Sequence, residues 1–154
     1  RTHILRLIRE ILYFKPEHNR TDLNVALDYL NKVTKRRAIV FLISDFVSPD
    51  FTKTISITNK KHDLIAITLT DPREKEIPAS GYIFLEDAET GEELIIESTN
   101  PLFQRNFKQL AEKEFVSRKK FFQSINLDDI EITTDESYVK PLIAFFRMRE
   151  RRYR

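Results

Sequence analysis

Two polar positions about two dozen residues apart could do chemistry in this chain. Thr21 lies in Arg20-Thr21-Asp22-Leu23, which opens an amphipathic helix, and Asp45 follows the apolar run Ala38–Ile43. That run is apolar without alternation, the pattern of a parallel strand covered on both faces. It stops at Ser44-Asp45, placing a hydroxyl and a carboxylate at the strand's C-terminal end, the edge where open α/β sheets bind ligands. With the Thr21 hydroxyl at the mouth of the helix feeding this strand, two hard oxygen donors meet at one edge. Such donors suit a Mg²⁺-type ion. Plain structural roles fit the same residues: Thr21-Asp22 has the form of a helix N-cap, and Asp45 could end a strand and start a turn before Ser48-Pro49.

The elements that must position these groups alternate along the chain. Ile4, Leu7, Ile8, Ile11 and Leu12 recur at helical spacing up to Lys15-Pro16. Leu23, Ala26, Leu27, Leu30 and Val33 mark a second helix, stopped by Lys35-Arg36-Arg37. After the strand 38–43, residues 49–61 read as a helix with Phe51 and Ile55 as core contacts. Leu64–Leu69 reads as another buried strand, ending at Thr70-Asp71-Pro72. Tyr82–Leu85 and Leu94–Ile96 flank Glu89-Thr90-Gly91-Glu92 as a β-hairpin. The longest predicted helix, 100–125, carries Phe103, Phe107, Leu110, Ala111, Phe121, Phe122 and Ile125 on its apolar stripe. Asp129–Thr133 is a third parallel strand, and Thr134-Asp135-Glu136 is expected to cap a last helix bearing Leu142, Ile143 and Phe146. This alternation predicts a doubly wound, mostly parallel α/β sheet with an inserted hairpin at about 81–97.

Composition narrows the function classes. At 154 residues the chain can bury a sizeable core, and 26 Lys and Arg nearly balance 24 Asp and Glu. A net charge of +2 offers no general argument for nucleic acid. The Arg-rich end (Arg147, Arg149, Arg151, Arg152, Arg154) could touch phosphate with steep salt dependence, but reads better as a solvated helix terminus favoured by the helix dipole. The absence of Cys excludes disulfides and thiolate metal sites. Two glycines are too few for a phosphate-binding loop or a dinucleotide fingerprint. His3, His18 and His62 lack metal-ligand spacing, and His62 reads as a surface turn beside Asp63. No apolar run approaches the ~20 residues of a membrane span, and no signal peptide is evident. The chain opens at Arg1 inside a helical pattern and so reads as a fragment.

Several stretches, in order, carry a family resemblance: Arg1-Thr-His-Ile-Leu-Arg, Arg20-Thr-Asp-Leu, Lys35-Arg-Arg-Ala-Ile-Val-Phe-Leu-Ile-Ser-Asp-Phe, Lys61-His-Asp-Leu-Ile-Ala, Glu86-Asp-Ala-Glu-Thr-Gly-Glu and Thr134-Asp-Glu-Ser-Tyr-Val-Lys-Pro-Leu. Together they resemble the C-terminal half of the bacterial "domain of unknown function fifty-eight" family, whose members carry a von Willebrand factor A-like domain. The resemblance covers nearly all of 1–154. It implies a partial domain of that type, lacking its first strands.

It also implies a metal-ion-dependent adhesion site. In such sites an Asp-x-Ser-x-Ser motif, a Thr from a second loop and an Asp from a third supply the ligands. By this similarity Thr21 is the Thr and Asp45 the Asp, with Ser44 and Asp22 as supporting residues. No Asp-x-Ser-x-Ser occurs in these residues. Thr21 and Asp45 therefore form a half-site, expected to hold Mg²⁺ or Mn²⁺ in the full-length protein and none in this chain alone. Family members resembling it are often encoded beside MoxR-type AAA+ ATPases. The expected function is thus a non-enzymatic, metal-assisted protein-interaction domain, cytoplasmic or peripheral to the membrane, working with such an ATPase on a client protein. The rival is an α/β phosphohydrolase or phosphoacceptor using Asp45, with Asp71 as the nearby acidic candidate. Loss of neighbouring strands would also expose the edge of strand 38–43 to self-association.

Overall fold

Short apolar runs become strands and amphipathic runs become helices in the computed structural model, which describes residues 2–15, 21–87 and 90–152. The order is α1 (Thr2–Tyr13), α2 (Leu23–Val33), β1 (Ile39–Ser44), α3 (Thr52–Lys61), β2 (Asp63–Thr70), α4 (Pro72–Lys75), β3 (Tyr82–Glu86), β4 (Glu93–Glu97), α5 (Pro101–Ser124), β5 (Asp128–Thr133) and α6 (Val139–Arg152). Arg1, Pro16, His18, Arg20, Glu89 and Arg154, singled out in the sequence, lie outside the described residues.

The larger sheet is parallel, in the order β1-β2-β5. Its register sets Ser44 beside Thr68, and Thr70 beside Thr133, so all three strands end at one edge. β2 is the centre. Leu64 and Ala66 pack with Leu23 and Leu27 of α2, Ile55 of α3 and Phe122 of α5. Ile65 and Ile67 point the other way, to Ile130 and to Phe145 of α6. A strand buried on both faces needs an unbroken apolar run, which 64–67 supplies. β3 and β4 pair antiparallel as the separate expected hairpin. The architecture is therefore mixed α/β, a parallel sheet with an antiparallel hairpin. No described helix is long and apolar enough to cross a membrane.

Several expectations change. β1 is the outer strand of its sheet, and Ile39, Phe41 and Ile43 are exposed. Val40 and Leu42 pack on the core. On the opposite face Phe41 finds a partner in the Phe146 ring of α6, its centroid 6.3 Å away, so the unbroken apolar run is fully covered on neither face. The apolar stripe of α1 is likewise exposed at Ile4, Leu7, Ile8 and Ile11. α3 starts at Thr52 rather than 49, because Asp50 Oδ1 accepts from Thr52 N at 3.0 Å and from Thr52 Oγ1 at 2.6 Å. Thr134-Asp135-Glu136 forms a turn after β5 instead of capping α6: Glu136 N donates to Thr133 O at 3.1 Å. Asp71-Pro72, read as a strand end, also opens the short helix α4 through a capping box with Glu74. Leu110 of α5 is exposed, while Phe122 is the stripe's one fully buried ring. His62 is 0 % exposed rather than at the surface, with Nδ1 accepting from Ala38 N at 3.3 Å. Arg149 is not solvated either; its side chain is 11 % exposed and bridges Asp63 and Asp128.

Candidate functional site

The C-terminal edge of the sheet gathers the polar strand ends. Ser44 Oγ accepts from Phe46 N at 3.0 Å and donates to Asp45 Oδ1 at 3.3 Å, while Val47 N donates to the same carboxylate oxygen at 3.0 Å. These bonds wind the chain sharply after the strand. Phe46 takes φ 62°, a left-handed conformation rare for a bulky side chain and costing of order 1–3 kcal/mol. Its buried ring supplies the compensation, packing 5.2 Å from Phe122 and 5.6 Å from Phe51. The turn thus sinks Phe46 and leaves Asp45 exposed at the rim.

Ser48 joins this loop to α2. Its Oγ donates to Thr21 O at 3.4 Å and accepts from Leu23 N at 3.2 Å. Asn24 Nδ2 adds a bond to Asp50 O at 3.1 Å. The backbone at the start of α2 and the loop that follows Asp45 are therefore tied side by side. Asp22 is the N-cap of α2, accepting from Asn24 N at 2.8 Å. The capping role falls to Asp22, and Thr21 stands one residue before it. Next to this junction, Thr52's hydroxyl and then its N–H hold the Asp50 carboxyl below its ordinary value.

A cleft of about 250 Å³ opens beside Asp45. Val47, Phe107, Ala111 and Phe115 give it apolar walls, and Glu74 and Arg118 stand among its charged groups. Arg118 Nη1 donates to Asp45 O at 3.4 Å, and its guanidinium sits 5.9 Å from the centre of the Phe46 ring. Ser48 and Arg118 were missed in the sequence. Ser48-Pro49 offered a faint signal as a turn next to the strand. Arg118 offered none, since 73 residues separate it from Asp45.

By residue type alone, the metal reading has two oxygen donors to draw on. Thr21 and Asp45 offer a hydroxyl and a carboxylate, two oxygens toward the near-octahedral set at about 2.0–2.1 Å that Mg²⁺ demands. Among the described residues, no group of three or more His, Cys, Asp and Glu side chains could hold a metal ion. Asp71, the acidic residue the phosphoacceptor reading would recruit, is engaged locally: Oδ1 caps Arg73 N at 2.8 Å, and Oδ2 accepts from Thr134 Oγ1 at 3.3 Å.

The chain is similar to "Uncharacterized protein Rv1480" of Mycobacterium tuberculosis, 28 % identical over 138 residues, covering 88 % of this chain and 43 % of that protein. "Uncharacterized protein MAV169" of Mycobacterium avium is 28 % identical over 135 residues, covering 86 % of this chain and 78 % of that protein. The chain thus spans less than half the length of the first of these relatives. No solved structure matches it. The family described as "Protein of unknown function DUF58" matches residues 1–116, three-quarters of the sequence, and the chain belongs to that family.

Proposed function

We propose that this chain is a non-enzymatic protein-interaction domain whose Thr21–Asp45 edge takes part in metal-assisted binding, in a von Willebrand factor A-type arrangement. The observation that carries this reading is the Ser48 bridge, which ties the backbone on either side of Asp22 to the loop after Asp45. Bound Mg²⁺ or Mn²⁺ would supply an open coordination position for a partner's carboxylate. Asp45 would provide the charged ligand and Thr21 the neutral one. Ser44 and Val47 N fix the carboxylate, and Phe46 holds the loop to the core. The partner class proposed from the family resemblance is a MoxR-type AAA+ ATPase acting on a client protein.

The test is Mn²⁺ titration of the whole gene product, followed by electron paramagnetic resonance of the free ion, together with ATPase pull-down. Asp45→Ala is expected to weaken both at least about tenfold, and Thr21→Ala the metal alone by a similar factor, as lost ligands do. Unchanged Mn²⁺ binding in both variants would remove the metal from the reading. Retained pull-down by Asp45→Ala would remove this edge from the ATPase interface. Residues 1–154 alone are expected to bind the ion weakly.

The exposed outer strand supports a second contact. β1 has one strand neighbour among the described residues and exposes Ile39, Phe41 and Ile43, as edge strands that pair between chains do. Self-association through strand 38–43 is expected to give a concentration-dependent mass in sedimentation, abolished by Phe41→Lys.

A further inference from the structure

The hairpin stands apart in charge. Residues 81–98 hold six carboxylates and no Lys or Arg, in a chain whose net charge is +2. Strand alternation sorts its side chains onto two faces. Ile83 and Ile96 turn inward, and Ile96 is buried. The outer face carries the cross-strand pairs Tyr82–Glu97, Phe84–Ile95 and Glu86–Glu93. Tyr82 is 73 % exposed, Phe84 74 % and Ile95 58 %. An apolar centre thus lies in the open, with carboxylates at both ends.

Folding alone does not account for this face. Glu86 and Glu93 stand directly opposite, a like-charge pairing that weakens a two-stranded ribbon. Two large side chains about three-quarters exposed add little to stability. The ribbon is closed at its base by hydrogen bonds. Ser98, fully buried, donates to Gly81 O at 2.8 Å and accepts from Ser80 N at 2.9 Å. Gln104 of α5 donates to Ser98 O at 2.9 Å. The outer face is therefore left open to solvent at no evident gain to the fold.

We propose that the outer face of the hairpin docks a basic polypeptide segment of a partner protein, one carrying Lys or Arg on both sides of a large apolar side chain. Phe84 and Ile95 receive the apolar group, while Glu86, Glu93 and Glu97 pair with the flanking cations. Charge decides among occupants. An anionic membrane surface is repelled by the carboxylates. A second copy placing the same face against itself would oppose all of these carboxylates to their equivalents. This surface is separate from the Thr21–Asp45 edge and does not depend on a metal.

The experiment is fluorescence anisotropy with a dye-labelled heptapeptide alternating lysine with leucine and phenylalanine, in EDTA, with its glutamate counterpart as control. The lysine peptide is expected to bind, and more weakly as salt rises. Phe84→Thr, which keeps charge and strand propensity, is expected to weaken it about tenfold or more, the scale of one aromatic anchor. Glu86→Gln with Glu93→Gln is expected to weaken it similarly and flatten the salt dependence, with unchanged thermal melting in both variants. Full binding by Phe84→Thr would reduce the effect to unspecific charge attraction and overturn the proposal. Equal binding of the glutamate peptide would overturn it as well. A dimer in sedimentation that these same substitutions dissolve would assign the face to a second copy instead.

Discussion

The two ends of the parallel sheet treat polar side chains differently. At the N-terminal end, Asp63 of β2 and Asp128 of β5 converge on Arg149 of α6, which reaches Asp63 at 2.6 Å and Asp128 at 3.6 Å. Arg152 adds a bond to Asp128 at 2.9 Å. Charges from three elements satisfy one another there, and Arg149 is nearly out of water. At the C-terminal end, Ser44, Asp45 and Asp71 bond mainly to nearby backbone groups, and Asp45 keeps its carboxylate at the rim of a cleft. One end uses polarity to lock a helix to the sheet. The other fixes polar groups in place while leaving them accessible, which is what a binding edge requires.

Substitutions can break or sharpen this contrast. The largest effect is expected at the open end, beneath its polar rim: Phe46→Ala should cost about 3–5 kcal/mol in urea denaturation, because the ring packing that holds the left-handed turn is lost. Arg149→Ala at the closed end should cost about 2–3 kcal/mol, less than a fully buried pair would, since Asp63 and Asp128 retain some solvent. A cost below that of Arg152→Ala, whose exposed pair is worth under about 1 kcal/mol, would show that the lock is not Arg149. Asp45→Ala should change stability by only about 0.5 kcal/mol while weakening the proposed metal and partner binding about tenfold or more. A large loss of stability there would make Asp45 a structural residue and erase the contrast.

The smallest effect concerns pH. Burial raises the Asp129 carboxyl above its ordinary 3.8, with Glu131 and Asp128 reinforcing the shift and Lys119 opposing it. The folded state therefore binds this proton more tightly than the unfolded chain. Its contribution to stability is present at low pH and is lost as pH rises through the raised value. Asp129→Asn should remove that slope just above pH 3.8 and leave the molecule slightly more stable at neutrality. Urea midpoints for the two proteins from pH 4 to pH 7 check this.

Much of the arrangement was legible in local pattern. The unbroken run at 64–67 marked a buried strand, and helical spacing of Leu23 and Leu27 marked the helix that packs on it. The polar residues following β1 marked the open edge. The capping pattern at Thr21-Asp22 was also read, although which of the two residues caps required the structure. The closed end was not legible. Arg149 and Asp63 are 86 residues apart, and an Arg-rich helix end looks the same in sequence whether solvated or paired. His62 next to Asp63 looked like a surface turn, because nothing local reveals that its ring is buried and accepts from Ala38 N, 24 residues away.

The sequence by itself determined the order of elements apart from the short helix α4, the apolar run that forms β2, the polar tip at Ser44-Asp45 and the hairpin. Each depends on periodicity or turn chemistry within a few residues. Only the tertiary structure decided that β1 lies outermost, that Arg149 closes one end of the sheet, and that Ser48 and Arg118 frame Asp45 at the other. Those outcomes follow from the strand order β1-β2-β5 and the helices packed upon it, which bring together side chains that share no local pattern.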